Sequence, residues 1–178
     1  MIVLVSSIGI FARYADGAGS EMFVAVAIIA VLLLLAIGSI VVVGRARSAA
    51  MRAAAELSRT SPGSRLVLTQ FDRKAARVVR RVGSSLGEDF RPELLVAKLE
   101  PDRVSFFRPA GLVPVGELVV GVDIERHYAT TINRSNPFNE PCLRFVFLDG
   151  TSADVLLYDA STGKWPDDSD LGSIASGR

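Results

Sequence analysis

Residues 22–43 read MFVAVAIIAVLLLLAIGSIVVV, a run without a charged residue or a proline. An α-helix rises about 1.5 Å per residue, so this run is roughly 33 Å long as a helix. The hydrocarbon core of a bilayer is about 30 Å thick. No second run of this kind occurs in the chain. The sequence therefore predicts a single transmembrane helix over residues 22–44.

The charges beside this run predict its orientation. Residues 1–21 carry a net charge of −1, whereas four arginines follow the run: Arg45, Arg47, Arg52 and Arg59. Short cationic flanks stay on the cytoplasmic side of a membrane. We therefore expect a cell-membrane protein with its N-terminus outside, its remaining chain in the cytoplasm, and these four arginines against anionic headgroups. A cleaved signal peptide is disfavoured. In a signal peptide the basic residues precede an apolar run of about 7–15 residues, whereas here they follow a longer run.

Composition divides the rest of the chain. Residues 1–21 form a short leader, which is either an extracytoplasmic or interfacial segment or lies before a true start at Met22. Residues 45–64 are rich in alanine and arginine, which predicts a basic helical stem to about Ser58 and then a linker broken at Pro62-Gly63. We expect an α+β domain over residues 65–158. Residues 159–178 are rich in serine, glycine and aspartate, which predicts a disordered tail.

Net charge differs along the chain. It is +8 over residues 45–82 and −6 over residues 83–178. A cationic juxtamembrane segment followed by an acidic domain suits a position at a bilayer surface. Cys142 is the only cysteine, so an intrachain disulfide is excluded. No base-reading motif accompanies the basic residues, and we expect no nucleic-acid partner.

Residues 65–82 fit two structures. Phe71, Ala75, Val78 and Val82 repeat at helical spacing, which favours a basic amphipathic helix. Such a helix either lies on the inner leaflet or belongs to the domain with a solvated cationic face. The alternative is a strand over residues 66–71, a turn, and a second strand over residues 77–82.

From residue 93 onward apolar residues alternate with a period of two, as in β-strands. The pattern predicts paired strands around a turn at residues 100–103, a strand from Leu118 to about Ile132, and a loop over residues 133–141. A strand through Leu143, Phe145 and Phe147 then meets its partner across Asp149-Gly150, a strong hairpin signal.

Three segments, LVAKLEPDRVSFF, GLVPVGELVVGVDIER and LRFVFLDGTSADVLLYD, resemble small bacterial pleckstrin-homology-like domains that follow a transmembrane helix. The resemblance covers residues 94–158. It implies an antiparallel meander or partial barrel with a binding or scaffolding role. That family closes its barrel with a long C-terminal helix, which residues 159–178 do not supply. We therefore expect either a partial barrel or sheet, or a helix over residues 65–82 that covers the open face.

Two patterns in the sequence have the spacing of chemical sites. Residues 83–87, GSSLG, fit G-x-S-x-G, but a nucleophile elbow needs a buried strand before it and a helix after it. Alternation predicts Asp123, Glu125 and His127 on one strand face, as metal ligands or, more simply, as a solvated polar strip. We predict no catalytic, metal or cofactor site and no enzymatic activity.

These inferences converge on a single-pass membrane protein with a cytoplasmic, non-enzymatic binding or scaffolding domain. The alternative is an accessory subunit of a larger membrane complex. The expected partners are the bilayer, its anionic headgroups and another membrane protein, with no small-molecule substrate evident.

Overall fold

A computed structural model describes residues 20–82, 86, 90–132 and 139–175. The chain separates into two compact units, Met1–Gly44 and Arg45–Arg178. In the first unit, the described residues belong to helix α1, which runs over Ser20–Thr60. Within the described ranges, α1 is the one helix long and apolar enough to cross a membrane, and its most apolar window is 0% buried. A long, exposed apolar helix at this position agrees with the expected membrane anchor.

The second unit begins with the last part of α1. Residues 45–60 bury Ala50, Ala53, Ala54 and Leu57 against one face of a sheet. These four side chains pack with Leu68, Val96 and Tyr158 of the sheet. The helix ends where Ser61 N–H donates to Leu57 O at 2.9 Å, ahead of Gly63 with φ of 88°. The expected stem is therefore part of the domain.

Seven strands and two further helices follow among the described residues. Their order is β1 (Arg65–Gln70), α2 (Arg73–Val82), β2 (Leu94–Leu99), β3 (Arg103–Arg108), β4 (Val113–Val119), β5 (Ile124–Ile132), β6 (Glu140–Phe147), β7 (Ser152–Asp159) and α3 (Asp168–Ala175). All strand pairs in the sheet are antiparallel, in the order β4-β3-β2-β1-β7-β6-β5. The predicted α+β class with a mostly antiparallel sheet is confirmed.

The sheet must curl strongly. Its two edges, β4 and β5, are joined by residues 120–123 alone. Six strand spacings of about 4.8 Å separate the edges of a flat seven-stranded sheet by about 29 Å. The link from Val119 to Ile124 reaches at most about 18 Å. Among the described residues β4 and β5 are not paired with each other, and the isolated bridge from Val120 to Ile124 only spans the turn that links them, so the curled sheet remains open.

The sheet has a core on each face. The larger core fills the face that carries Phe106 and Phe145, whose ring centroids lie 6.0 Å apart. Phe71 and Phe90 extend this cluster with centroids at 4.8 Å, edge to face. The smaller core lies between the opposite face and residues 45–60 of α1. Adjacent residues on the central strands therefore supply different cores.

The structure combines the two alternatives for residues 65–82. The first part is strand β1, which pairs with both β2 and β7 and is buried on both faces. The second part is helix α2, which Asp72 caps by accepting the Ala75 N–H at 2.7 Å. The prediction of a single helix is wrong, and so is the prediction of a strand pair. A central strand that is buried on both faces lacks the alternation of polar and apolar residues by which a strand is usually identified in a sequence.

The predicted strand from Leu118 to about Ile132 is wrong. A turn at residues 120–123 divides it into β4 and β5, with Gly121 at φ of 82°. Asp123 is buried and its Oδ2 accepts the Val119 N–H at 3.0 Å. Because VVGVD alternates like a strand, its pattern conceals the turn.

The expectation of disorder after Tyr158 is wrong for the described residues 159–175. Helix α3 packs against β5 and buries Ile174 in the larger core, with Leu171 beside it. Asp167 caps this helix by accepting the Asp170 N–H at 2.9 Å. Leu171 and Ile174 therefore hold this segment against the domain, although its average composition is polar.

Candidate functional site

A groove of about 870 Å³ lies between the end of α1 and one end of the sheet. Its walls combine cations, hydroxyl groups and apolar side chains. They comprise Met51, Arg52, Ala54, Ala55, Ser58, Arg59, Ser64, Arg65, Leu66, Asp159, Ala160 and Ser161. A mixed surface of this kind is suited to an amphiphilic anion.

Three arginines supply the positive charge of the groove. Arg52 and Arg59 are seven residues apart on α1, so helical periodicity places them on the same side, and both are exposed. No ion pair of either residue occurs within the described part of the chain. Arg65 Nη2 donates to Asp170 O at 3.3 Å, which ties the start of β1 to α3. All three cations are therefore held on regular elements of the domain.

Asp159 is the acidic residue of the groove, and its carboxylate accepts hydrogen bonds from the turn that follows it. Its Oδ1 accepts hydrogen bonds from Ser161 N–H at 3.0 Å, Ser161 Oγ at 2.6 Å and Thr162 N–H at 2.7 Å. Burial alone would raise the pKa of Asp159, but the hydrogen bonds from Ser161 and Thr162 outweigh it and lower that pKa. Asp159 therefore stays ionised at neutral pH and orders this wall.

The four arginines expected at the membrane surface occupy different environments. Arg52 and Arg59 line the groove, and Arg45 is exposed at the first residue of the second unit. Arg47 instead places its guanidinium 4.6 Å from the centroid of the Tyr158 ring, where it joins α1 to β7. Sequence reasoning missed Arg65, because its place in the groove depends on the chain reversing direction at residues 61–64.

Two other cations of the sheet are held in ion pairs. Arg144 meets Asp154 through two hydrogen bonds of 2.6 and 2.9 Å, and this carboxylate raises the pKa of Arg144 further above its usual value. Arg108 pairs with Glu93 at 3.0 Å. These side chains hold the sheet together.

The structure does not gather Asp123, Glu125 and His127 on one face. A β-bulge interrupts the strand between Ile124 and Arg126, and it breaks the alternation on which that prediction relied. His127 pairs across the sheet with Phe145, on the side of the larger core. No cluster of three or more metal-ligating side chains occurs among the described residues. The GSSLG segment lies outside the described residues except for Leu86, which is buried.

His127 gives the domain a predicted pH dependence. Within the described structure its buried Nδ1 has no hydrogen-bond partner, and burial lowers the pKa of His127. As pH falls through about 6.5, the unfolded chain binds this proton before the folded domain does, so stability decreases until the folded pKa is passed. The free energy of unfolding should therefore fall between about pH 7.5 and about pH 5, and we expect it to fall less in the His127→Gln variant than in the unaltered protein. Urea unfolding followed by circular dichroism at both pH values tests this, and an equal loss in both proteins would contradict it.

Comparison of the chain with models of known protein families, with curated proteins and with solved structures found no match. The resemblance to pleckstrin-homology-like domains therefore stays a prediction.

Proposed function

We propose that this protein is a single-pass membrane-anchored binding or scaffolding module without enzymatic activity, with its domain on the cytoplasmic side. The observation that carries the proposal is the exposure of the apolar part of α1. Leu32 to Leu35 are each about 60% exposed, as are most large side chains of that segment. The domain has its own two cores without these residues. An exposed apolar surface of this size requires lipid or another protein around it.

We further propose that Arg52, Arg59 and Arg65 bind anionic lipid headgroups. The groove belongs to the unit that starts directly after Gly44, the end of the apolar segment in sequence. A cation near an anionic leaflet contributes about 1 kcal/mol. The exposed arginines and the neighbouring Ser58 and Ser64 match the charge and hydrogen-bonding capacity of a phosphodiester.

The proposed fold is a pleckstrin-homology-like partial barrel. The curled antiparallel sheet and its open seam between β4 and β5 support this proposal. In place of one long C-terminal helix, the short helices α2 and α3 pack against β7 and β5. Such a domain would bring proteins together beside the membrane, where tethering raises their local concentration.

A second candidate is an accessory subunit of a larger membrane complex, and a feature of the apolar helix favours it. Leu34, Leu35, Gly38, Ser39 and Val43 border a shallow notch on one side of α1. Ser39 Oγ donates to Leu35 O at 2.8 Å, so its polarity is satisfied within the helix. Small residues let a second transmembrane helix approach closely. Purification in mild detergent with a stoichiometric membrane partner would favour this candidate.

The headgroup proposal predicts a change in bound lipid. We expect Arg52→Gln with Arg59→Gln to reduce the anionic lipid that copurifies with the full-length protein by about thirtyfold, from about 1 kcal/mol for each of the two cations. Arg73→Gln with Arg77→Gln removes the same charge from α2 and should leave the lipid ratio unchanged. Mass spectrometry of the retained lipids measures both. Equal retention in the two double variants would contradict the proposal.

A further inference from the structure

Helix α2 carries a cationic stripe, made of Arg73, Lys74, Arg77, Arg80 and Arg81, all of them exposed. Successive helical residues are rotated by about 100°, so these five side chains fall within an arc of about 120°. The opposite side buries Ala75, Ala76 and Val79 in the larger core. One side of α2 therefore holds the domain together and the other carries charge alone.

The N-terminal part of the stripe and its like-charge spacing disfavour the isolated helix, although Arg80 and Arg81 lie in the last turn, where the helix dipole favours cations. Arg73 and Arg77, like Arg77 and Arg81, are four residues apart, and like charges at this spacing repel each other. Two cations also occupy the first turn, where the helix dipole favours anions, and that turn holds no acidic residue. Asp72 lies before it as the cap. This arrangement contrasts with the paired cations of the strands and calls for an external anion.

Besides the cap Asp72, Asp149 interacts with one end of the stripe. Hydrogen bonds from Thr151 lower the pKa of Asp149 in the β6–β7 turn, and the charge of Arg81 adds to this effect. No ion pair to Arg73, Lys74, Arg77 or Arg80 occurs within the part of the chain that the structure describes. Most of the stripe is therefore available to a partner.

Two observations argue against lipid as that partner. A helix that lies in the membrane interface must bury its apolar side among acyl chains, and α2 uses that side in the protein core. In addition, α2 and residues 45–60 of α1 supply cores on opposite faces of the sheet. If the groove arginines contact lipid, as the proposed function holds, a flat bilayer beside them leaves the opposite face open.

The spacing of the stripe fits an extended acidic peptide. Arg73, Arg77 and Arg80 follow one another at about 4.5–6 Å along the helix axis. Alternate side chains of an extended chain lie about 6.6 Å apart on one side. We propose that α2 is a docking site for an acidic segment of a partner protein, with carboxylates at alternate positions paired to the stripe. The domain then has one cationic surface for lipid and another for protein.

The test uses the full-length protein in nanodiscs of zwitterionic lipid and a fluorescent peptide that alternates glutamate and serine. We expect Arg73→Gln, Arg77→Gln and Arg80→Gln together to weaken peptide binding by about tenfold or more, as for three exposed ion pairs. A matched control replaces Arg45, Arg52 and Arg59 by glutamine and should change the affinity by less than about twofold. Circular dichroism checks that both proteins are folded. Fluorescence anisotropy at several salt concentrations measures binding, which should weaken as salt screens the charges.

Three outcomes would overturn the proposal. In the first, the unaltered protein binds no peptide, and in the second, the two triple variants lose peptide affinity equally. In the third outcome, single-stranded RNA or anionic vesicles bind to the stripe more tightly than the peptide does. The last outcome assigns the stripe to another polyanion. None of them affects membrane anchoring, which reconstitution into nanodiscs tests separately.

Discussion

Replacement of Phe106 by alanine is expected to lower the free energy of unfolding of the domain by about 3–5 kcal/mol. Phe106 is 0% exposed and lies at the centre of the larger core. Its ring centroid is 5.5 Å from that of Phe71, 6.3 Å from that of Phe90 and 6.0 Å from that of Phe145. A cavity there removes ring contacts to three separate segments of the chain at once. Because small domains are stable by only about 5–15 kcal/mol, this change is a large fraction of the total.

Phe107 provides a matched control because it is the next residue of the same strand. It points to the opposite face and is only partly buried beside the smaller core. Phe107→Ala should cost less than half as much as Phe106→Ala. Urea unfolding of the full-length proteins in mild detergent, followed by circular dichroism, measures both. Equal destabilisation would show that the two faces are not packed as described.

Introduction of arginine at Leu33 and Leu35 is expected to remove the protein from the membrane fraction. Both positions lie near the middle of the apolar run and are exposed. An arginine at the centre of a spanning helix opposes insertion by about 2.5–3.5 kcal/mol, so two arginines oppose it by about 5–7 kcal/mol. Since neither residue belongs to a core of the second unit, the domain should still fold. The protein would then be recovered in the soluble fraction after alkaline extraction.

Alanine at the same two positions is the control and should leave the protein in the membrane pellet. If the arginine variant also stayed there after extraction, the apolar helix would not be the anchor. If the unaltered protein were soluble without detergent, the proposed function would fail as a whole.

Local patterns predicted the hairpins well because each turn is set by a few adjacent residues. In the β6–β7 hairpin, Asp149 Oδ1 accepts the Thr151 N–H at 2.9 Å, and Gly150 has φ of 79°. At the β2–β3 turn, Glu100 N–H donates to Arg103 O at 2.9 Å. The candidate site was less predictable. Charge alone predicts Arg52 and Arg59, but their groove also needs Arg65 and the turn at residues 159–161.

The amino-acid sequence by itself determined the apolar helix and the antiparallel hairpins. Length, hydropathy and turn chemistry decide these features within a few neighbouring residues. Only the tertiary structure decided that residues 45–60 and α3 belong to the domain, that β1 is its central strand, and that the cations divide between two surfaces. The physical reason is that burial of a side chain depends on surfaces supplied by distant parts of the chain. Ala50 is 0% exposed because β1, β2 and β7 lie beneath it, and nothing near it in sequence reveals that sheet.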